Sequence, residues 1–268
     1  MKTLFLLSLL IITPLTAQEV EGNELKTIEN TEVSPFNQIC YQNIRRNKIL
    51  WYGGWAESTG FFIDKNFILT AAHNVHSQFL SRVKEIKIKI GRNGDSQIYP
   101  TIKIKGKELI AKYVRTSDNY GFLRRYSKKV KWDFALIYIP DELLPEGYTW
   151  NEEFSLNNND IILVNEKINL AGYPATGKIG DTDHYYDGSK MIYQSGKIQP
   201  KGKWYEHNFV THGGNSGSPL WVIKNMKNII VGIHTFGGSG TLIDEENLEL
   251  IKSWMIELKF SGHVSPLD

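Results

Sequence analysis

Apolar residues along the chain fall in short runs that are rich in β-branched and aromatic side chains. Glycine, asparagine, aspartate, lysine and proline separate the runs, as turns between strands require. In the stretch KEIKIKIG, apolar and polar residues alternate strictly, which predicts a half-buried strand. The runs predicted as strands are Ile39–Ile44, Ile49–Tyr52, Gly60–Ile63, Phe67–Thr70, Ile86–Ile90, Ile98–Ile104, Leu109–Val114 and Phe134–Ile139 in a first series, and Ile161–Val164, Ile168–Ala171, Met191–Ile198, Tyr205–Val210, Pro219–Val222 and Ile229–His234 in a second.

One clear helix is predicted, in the stretch DEENLELIKSWMIELKF, where Asp244 is placed to cap the first turn. The apolar residues that recur there at helical spacing are Leu248, Ile251, Met255 and Leu258. Residues 141–160 are polar and irregular, and would link the two series of strands. The pattern predicts an all-β fold of two sheets or barrels followed by a helix. The predicted bounds are about 36–145 for the first barrel, about 155–240 for the second and about 244–260 for the helix.

The first residues have the organisation of a secretory signal peptide. Lys2 gives a positive start, an apolar run extends from Leu4 to Leu15, and the small residues Thr16 and Ala17 end it. The run is shorter than the ~20 apolar residues that a membrane-spanning helix needs, which disfavours a membrane anchor. We therefore expect a secreted protein, extracellular or periplasmic. The predicted divisions are a signal peptide (1–17), a short pro-segment or N-terminal arm (18–35) and the main domain (36–268).

The charge and the cysteine content limit which partners and which cross-links the protein can have. Thirty-one basic and 29 acidic residues give a net charge of +2, so there is no electrostatic footprint for nucleic acid. Cys40 is the single cysteine, which excludes an internal disulfide, and its apolar surroundings predict a buried, inert thiol. No acidic cluster has the ligand spacing of a calcium site. A structural calcium stays an open alternative. We expect no metal in catalysis, no cofactor and a monomer.

One serine, Ser216, stands between glycines in GGNSGSPL. This density of glycine suits a tight loop that exposes one hydroxyl and directs backbone N–H groups to one point. A serine nucleophile needs a base, and the base needs an orienting carboxylate. Among seven histidines, His73 stands out because the small residues Ala71 and Ala72 precede it. Asp133 directly precedes an apolar strand. Each of these features alone is more often structural than catalytic.

Together the three motifs resemble the chymotrypsin-fold serine peptidases. The motifs are TAAH at 70–73, DFAL at 133–136 and GNSGSP at 214–219, in the order His, Asp, Ser. A closer resemblance, from about residue 36 to 260, is to the bacterial glutamyl endopeptidases of the staphylococcal V8-like group. Its further strings are AGYP at 171–174, SGKI at 195–198 and VGIHTFGG at 231–238. The resemblance implies two six-stranded antiparallel β-barrels with a C-terminal helix.

The resemblance also implies a role for each site residue. Ser216 would be the nucleophile, His73 the general base and then the general acid, and Asp133 the carboxylate that holds the imidazole. The backbone N–H groups of Gly214 and Ser216 would form the oxyanion hole. The implied activity is that of a secreted serine endopeptidase that cleaves protein or peptide substrates through an acyl-enzyme.

Specificity is implied by the residues around this loop. Val210 occupies the position where trypsin-type pockets carry an aspartate, so a basic substrate side chain would find no countercharge. Thr211 and His234 match the pair that recognises an acidic side chain in the glutamyl group, and a hydroxyl and an imidazole can both donate to a carboxylate. Asn215 replaces the aspartate that pairs with a freed N-terminus in the trypsin-like branch, so that activation route is not expected.

Other interpretations remain beside this one. The chain could be a binding protein on the same fold without turnover, or a restricted-target protease such as the exfoliative toxins. An HtrA-type protease is disfavoured, because that type carries a further peptide-binding domain and only SGHVSPLD follows the predicted helix. If Thr211 and His234 do not point inward, the first pocket would be hydrophobic or small. Cleavage of a peptide panel separates these interpretations.

Overall fold

The computed structural model describes residues 25–49, 52–76, 82–121, 129–156, 163, 166–175, 177–178 and 185–262. The predicted signal peptide (1–17) and most of the predicted strand Ile161–Val164 lie outside these ranges. The described part of the chain is mostly strand, in two curled antiparallel sheets, and ends in a helix. The predicted fold class is confirmed.

The strands of the described ranges follow in chain order. They are β1 (Lys26–Thr27), β2 (Ile39–Ile49), β3 (Tyr52–Asp64), β4 (Phe67–Thr70), β5 (Val83–Ile90), β6 (Ile102–Lys105), β7 (Val114–Thr116), β8 (Ala135–Tyr138), β9 (Phe154–Ser155), β10 (Ile168–Gly172), β11 (Gly177–Lys178), β12 (Tyr185–Tyr186), β13 (Ile192–Gly196), β14 (Ile198–Pro200), β15 (Trp204–His207), β16 (Pro219–Lys224), β17 (Lys227–Phe236) and β18 (Ser239–Leu242). The helices are α1 (Ala72–Val75), α2 (Lys107–Tyr113) and α3 (Glu245–Gly262), with single 3₁₀ turns at Phe36–Gln38, Val130–Trp132 and Asp141–Leu143.

The first sheet has seven strands in the order β6-β5-β2-β3-β4-β8-β7. Its centre is the long antiparallel pair of β2 and β3, which β5 and β4 flank. On β5 the residues Ile86, Ile88 and Ile90 are buried and the lysines between them are half-buried, as the alternation in the sequence predicts. Burial raises the pKa of the Cys40 thiol on β2, which keeps the thiol protonated and inert.

The second sheet has nine strands. Eight follow the order β1-β13-β10-β16-β17-β18-β15-β14, and β9 pairs with β17 in parallel. A separate core fills this sheet, with Leu170, Tyr205 and Leu220 fully buried within it. Among the described residues both sheets therefore have more than the six strands that the resemblance implies, and two of the additional strands, β1 and β9, are only two residues long. Within the predicted arm, Lys26 and Thr27 pair with β13 of this sheet, whereas the Thr31 hydroxyl donates to the Gly91 carbonyl, just after β5 of the first sheet, at 2.7 Å.

Helix α3 follows the second sheet in sequence but packs on the first. The Trp254 ring lies 5.5 Å from that of Phe134 at the start of β8, and Ile251 and Leu258 are fully buried in the same cluster. The carboxylate of Asp244 accepts the backbone N–H of Asn247 at 2.9 Å, so the predicted N-cap is confirmed. The helix therefore packs against the segment that carries Asp133.

One predicted strand, Leu109–Val114, was wrong. The structure has helix α2 over Lys107–Tyr113 and only a short strand after it. Glutamate, leucine, alanine and lysine favour a helix here, and the buried residues Ile110 and Tyr113 are three apart, on one helical face. A short apolar run without longer periodicity does not distinguish a strand from one turn of helix.

Candidate active site

His73 and Asp133 form a fixed pair in the first half of the molecule. His73 lies in α1, directly after the fully buried Ala71 and Ala72, and Asp133 follows a 3₁₀ turn. One carboxylate oxygen of Asp133 lies 2.9 Å from Nδ1 of His73, and the other accepts the backbone N–H of His73 at 2.8 Å. When the imidazole is neutral, Nδ1 therefore carries the proton and Nε2 presents a free lone pair. This is the tautomer that a general base requires.

Ser216 reaches the same cleft from the second half. Its hydroxyl donates to the carbonyl of Thr235 at 2.9 Å, and no hydrogen bond to His73 is present in the part of the chain that the structure describes. Both residues line a cavity of about 360 Å³ together with Asn74, Gly213 and Gly214. A second cavity of about 220 Å³ lies on the Asp133 side of the imidazole, lined also by Phe236 and Tyr120. His73 thus stands between two openings.

The loop before Ser216 presents two unpaired backbone donors. Among the described residues, no acceptor binds the N–H of Gly214 or that of Ser216. The carbonyl of Gly213 accepts the N–H of Ala175 at 2.7 Å. Because the carbonyl and the following N–H of a trans peptide point in opposite directions, this bond turns the N–H of Gly214 away from Ala175. Two donors are therefore available to an anion that forms beside the serine.

The glycines around the serine are required by geometry. Gly214 and Gly217 both have φ of +92°, a conformation that other residues rarely adopt. A Cβ at Gly214 would overlap the carbonyl oxygen of Tyr173, and one at Gly217 would overlap the carbonyl oxygen of Thr59. The loop therefore packs with its backbone directly against the body of the protein, and only glycine fits at these two positions.

His234 lies behind this loop and is fully enclosed. Its backbone N–H donates to Ser218 at 2.9 Å, and its carbonyl accepts from Gly217 at 2.7 Å. Its Nδ1 lies 3.1 Å from Nε2 of His207, a residue that the sequence analysis did not identify. Burial lowers the pKa of His207 to about 4, and burial, with smaller effects of His207 and His73, lowers that of His234 well below its usual value. Both rings are neutral at pH 7.

The hydrogen bonds decide which nitrogen of each ring carries the proton. The backbone N–H of Phe209 donates to Nδ1 of His207 at 3.1 Å, so this nitrogen is an acceptor and Nε2 of His207 holds the proton. That proton is donated to Nδ1 of His234, which places the proton of His234 on its Nε2. In the described part of the chain Nε2 of His234 has no partner. The hydrogen bonds thus place an uncharged N–H donor at Nε2 of His234.

Thr211 is half-buried, and its hydroxyl makes no hydrogen bond to the described residues. No direct bond joins it to His234. The preceding residue, Val210, is fixed through its backbone: the buried Gln194 amide donates to the Val210 carbonyl at 2.7 Å and accepts its N–H at 3.0 Å. His212 closes the turn by accepting the N–H of Asn215 at 3.0 Å. The backbone beside Thr211 is therefore rigid.

The sequence analysis also missed residues that hold the segments around His73 and Ser216 in place. Asn74 donates to the Ser216 carbonyl at 3.0 Å and to the Thr70 hydroxyl at 3.1 Å. Arg46 donates to the carbonyls of His73 and Asn74 at 2.8 and 2.7 Å, and so holds the helical turn that carries the imidazole. These residues have no motif of their own, because their partners are distant in sequence.

The two curled antiparallel sheets and the C-terminal helix are those of the chymotrypsin fold. The chain belongs to the trypsin family, whose family profile matches residues 43–247.

Two curated relatives and one solved structure are similar to this chain. It is 26% identical over 187 residues to a glutamyl endopeptidase of Staphylococcus epidermidis, covering 70% of this chain and 56% of that protein. It is 30% identical over 119 residues to a glutamyl endopeptidase of Staphylococcus aureus, covering 42% and 32%. The chain thus spans about half of the first relative's length and about a third of the second's. The structure of a Glu endopeptidase in complex with MPD has a TM-score of 0.60 at 21% identity, covering 88% of this chain and 99% of that one, which shows a shared fold.

Within the described ranges, no helix is both long and apolar enough to cross a membrane. The same ranges contain no group of three or more histidine, cysteine, aspartate or glutamate side chains that could hold a metal ion.

Proposed function

We propose that this protein is a serine endopeptidase with Ser216 as its nucleophile. The observation that carries the proposal is the position of His73. It makes two hydrogen bonds with the Asp133 carboxylate, and it lines one cavity with Ser216 and with Gly214, whose N–H group is unpaired. Acyl transfer requires a general base, a nucleophile and hydrogen-bond donors for the oxyanion. In this cavity they would be the unprotonated Nε2 of His73, the Ser216 hydroxyl and the free backbone N–H groups. Membership of the trypsin family supports the same activity.

The chemistry follows from these positions. The Ser216 oxygen attacks the carbonyl carbon of the scissile peptide while Nε2 of His73 removes its proton. The carbonyl oxygen becomes negative and binds the N–H groups of Gly214 and Ser216. When the C–N bond breaks, His73 returns the proton to the leaving amine and an ester to Ser216 remains. Water, deprotonated by His73, then hydrolyses that ester and restores the hydroxyl.

The hydrogen bond from Ser216 to Thr235 must open before attack. It holds the hydroxyl away from the imidazole in the free protein, and a rotation about χ1 of the serine releases it. Catalytic hydrogen bonds are often absent or long in free enzymes and form with the substrate. Arg46 and Asn74 keep the imidazole and the serine backbone in place while the hydroxyl moves.

We further propose that the first pocket prefers glutamate, or aspartate, before the scissile bond. Nε2–H of His234 and the free hydroxyl of Thr211 are the donors for the substrate carboxylate, and His207 fixes the tautomer of His234. A carboxylate that enters a buried pocket needs such donors. Since both rings are neutral at pH 7, recognition would rest on donated hydrogen bonds and not on a fixed positive charge. The similarity to glutamyl endopeptidases supports this preference.

We propose that the protein is exported and that its mature N-terminus lies before Leu25. Lys26 and Thr27 are bonded to β13, so cleavage after them would remove a strand from the second sheet. Residues 25–35 would then be an ordered arm of the mature domain. Intact-mass analysis of the secreted protein measures this end directly.

The activity is tested with peptides that differ only in the residue before the scissile bond: Glu, Gln, Asp, Lys and Leu. We expect cleavage after Glu, with Ser216→Ala slower by roughly 10⁴-fold or more and an unchanged circular dichroism spectrum. Labelling of wild-type Ser216 by a fluorophosphonate, absent in Ser216→Ala, reports the nucleophile without any choice of substrate. Labelling without peptide cleavage would favour a restricted-target protease, and neither reaction would favour a binding protein. Cleavage after another residue would keep the triad and discard the pocket assignment.

A further inference from the structure

Thr59 connects the first sheet to the loop that carries the serine. It lies in β3 and is fully buried. Its backbone N–H donates to the Ser216 carbonyl at 2.9 Å. Its hydroxyl donates to the Gly214 carbonyl at 2.8 Å and accepts the N–H of Tyr173 at 2.9 Å. Its own carbonyl accepts the Thr70 hydroxyl at 2.7 Å. All three of its hydrogen-bonding groups are thus used, two of them on the serine loop.

The hydroxyl of Thr59 binds the carbonyl of Gly214, the residue of the serine loop whose torsions are least restricted by its own side chain. Gly214 lacks a Cβ, so nothing in its own structure fixes its two torsions. The peptide before it is fixed by the bond from Ala175 to the Gly213 carbonyl, and the peptide after it by the bond from Thr59 to the Gly214 carbonyl. The Gly214 N–H belongs to the first of these peptides, which the Ala175 bond orients. The Thr59 bond orients the second peptide, so it fixes ψ of Gly214 and with it the placement of that N–H relative to Ser216. That N–H is one of the two donors available to the oxyanion.

We infer that the Thr59 hydroxyl is a positioning group for the oxyanion hole. This inference rests on the proposed peptidase activity and goes beyond it, because Thr59 touches neither substrate nor reacting atoms. The first half of the molecule supplies His73 and Asp133, and through Thr59 it also sets the geometry of the hole in the second half. An oxyanion hole whose donors are fixed by contacts between the two halves is preorganised. It needs no rearrangement when negative charge develops on the substrate carbonyl oxygen.

The hydroxyl can be separated from the shape of the side chain. Thr59→Val keeps the branched shape and the backbone bond to Ser216. It leaves the Gly214 carbonyl and the Tyr173 N–H, both buried, without a partner. Thr59→Ser keeps the hydroxyl and removes a methyl group. A role in packing alone predicts that serine is the more harmful change at the active site, and a positioning role predicts that valine is.

The experiment measures both turnover and binding by the purified mature protein. Removing an oxyanion donor costs about 10²–10³ in rate, and here the donor is displaced rather than removed. We therefore expect Thr59→Val to lower kcat by about 10- to 100-fold with little change in KM. A peptide aldehyde, which forms a tetrahedral adduct with its oxygen in the hole, should bind Thr59→Val more weakly by the same factor. The matched peptide alcohol forms no adduct and should bind both proteins equally. Thr59→Ser should restore both values to near the wild-type level.

An unchanged kcat and aldehyde affinity in Thr59→Val, even with a lower melting temperature, would overturn the inference and give Thr59 a structural role only. A loss confined to KM, or equal weakening of aldehyde and alcohol, would overturn it too. If Thr59→Val does not fold, Thr59→Cys, whose thiol is a weak donor of similar size, decides between the same outcomes. A wild-type protein without turnover or fluorophosphonate labelling would overturn the proposed function and this inference with it, whereas an active wild type isolates the test to Thr59.

Discussion

Replacing His207 by phenylalanine tests the proposal that His234 donates a hydrogen bond to a substrate carboxylate. The imidazole of His207 stacks beside Phe209, with ring centroids 4.9 Å apart, so a phenyl ring preserves the packing. The substitution removes the N–H that lies 3.1 Å from Nδ1 of His234. His234 then either keeps Nδ1 as a buried acceptor without a partner or moves its proton to Nδ1. In the second case Nε2 no longer has a proton to donate into the pocket.

The size of the effect follows from the lost bond. A hydrogen bond to a charged group contributes about 1.5–3 kcal/mol, and about 1.4 kcal/mol corresponds to a factor of ten. We therefore expect kcat/KM for a peptide with glutamate before the scissile bond to fall by roughly 10- to 100-fold. The matched peptide with glutamine has the same shape without the charge and should change far less. The glutamate-to-glutamine ratio of kcat/KM is the quantity to measure.

A control variant separates the lost proton from general damage. In His207→Gln the side-chain amide can donate to His234 from a similar position, so part of the glutamate preference should remain. Fluorophosphonate labelling at the wild-type rate in both variants would show that Ser216 and His73 are unaffected. If His207→Phe folds, labels normally and keeps the full ratio, the assigned tautomers do not determine specificity, and the reasoning from the His207–His234 contact is refuted.

Two further predictions concern stability. Gly217→Ala and Gly202→Ala both place a Cβ on a residue with positive φ, which costs about 1–2 kcal/mol. Only at Gly217 does the new atom overlap Thr59 and Thr70. The free energy of unfolding in urea should therefore fall by about 1–3 kcal/mol more for Gly217→Ala, and equal losses for the two variants would contradict this packing. The folded pKa of His207 is about 4 against about 6.5 in the unfolded chain, so the unfolded chain binds more protons below pH 6.5. The free energy of unfolding should therefore fall by about 3 kcal/mol as the pH drops from 6.5 to 4; His207→Gln should lose less over that range, and parallel pH curves for the two proteins would argue against a buried, neutral His207.

The sequence predicts most of the fold because local patterns carry it. The alternation on β5 and the capped, periodic helix α3 follow directly from nearest neighbours in sequence, and both are confirmed. The strand predicted at Leu109–Val114 is wrong because six residues of mixed polarity are compatible with a strand or a helix until Ile110 and Tyr113 are packed into the core.

The candidate site divides in the same way. Ser216, His73 and Asp133 lie in recognisable motifs, and the structure brings His73 and Asp133 into contact and Ser216 into the same cavity. The Thr59 hydroxyl binds Gly214 in the serine loop, and His207 binds His234 on β17, each more than 25 positions away, so no local pattern signals these contacts. The bond from Ser216 to Thr235 is a rotamer choice that depends on the finished cleft. Tertiary contact, and not local propensity, determines these features.

The packing of α3 on β8 has a consequence for biosynthesis. The helix comes after every strand of the described chain, yet its Trp254 supports Phe134, the residue beside Asp133. A chain that lacks the helix leaves that segment uncovered, so we expect the carboxylate of Asp133 to be held correctly only after the helix has packed against Phe134. A cell making this protein would thereby be spared hydrolysis by incomplete chains. A chain truncated before Glu245 can be prepared and treated with a fluorophosphonate. If it does not label, the reactivity of Ser216 is the last property that the chain acquires.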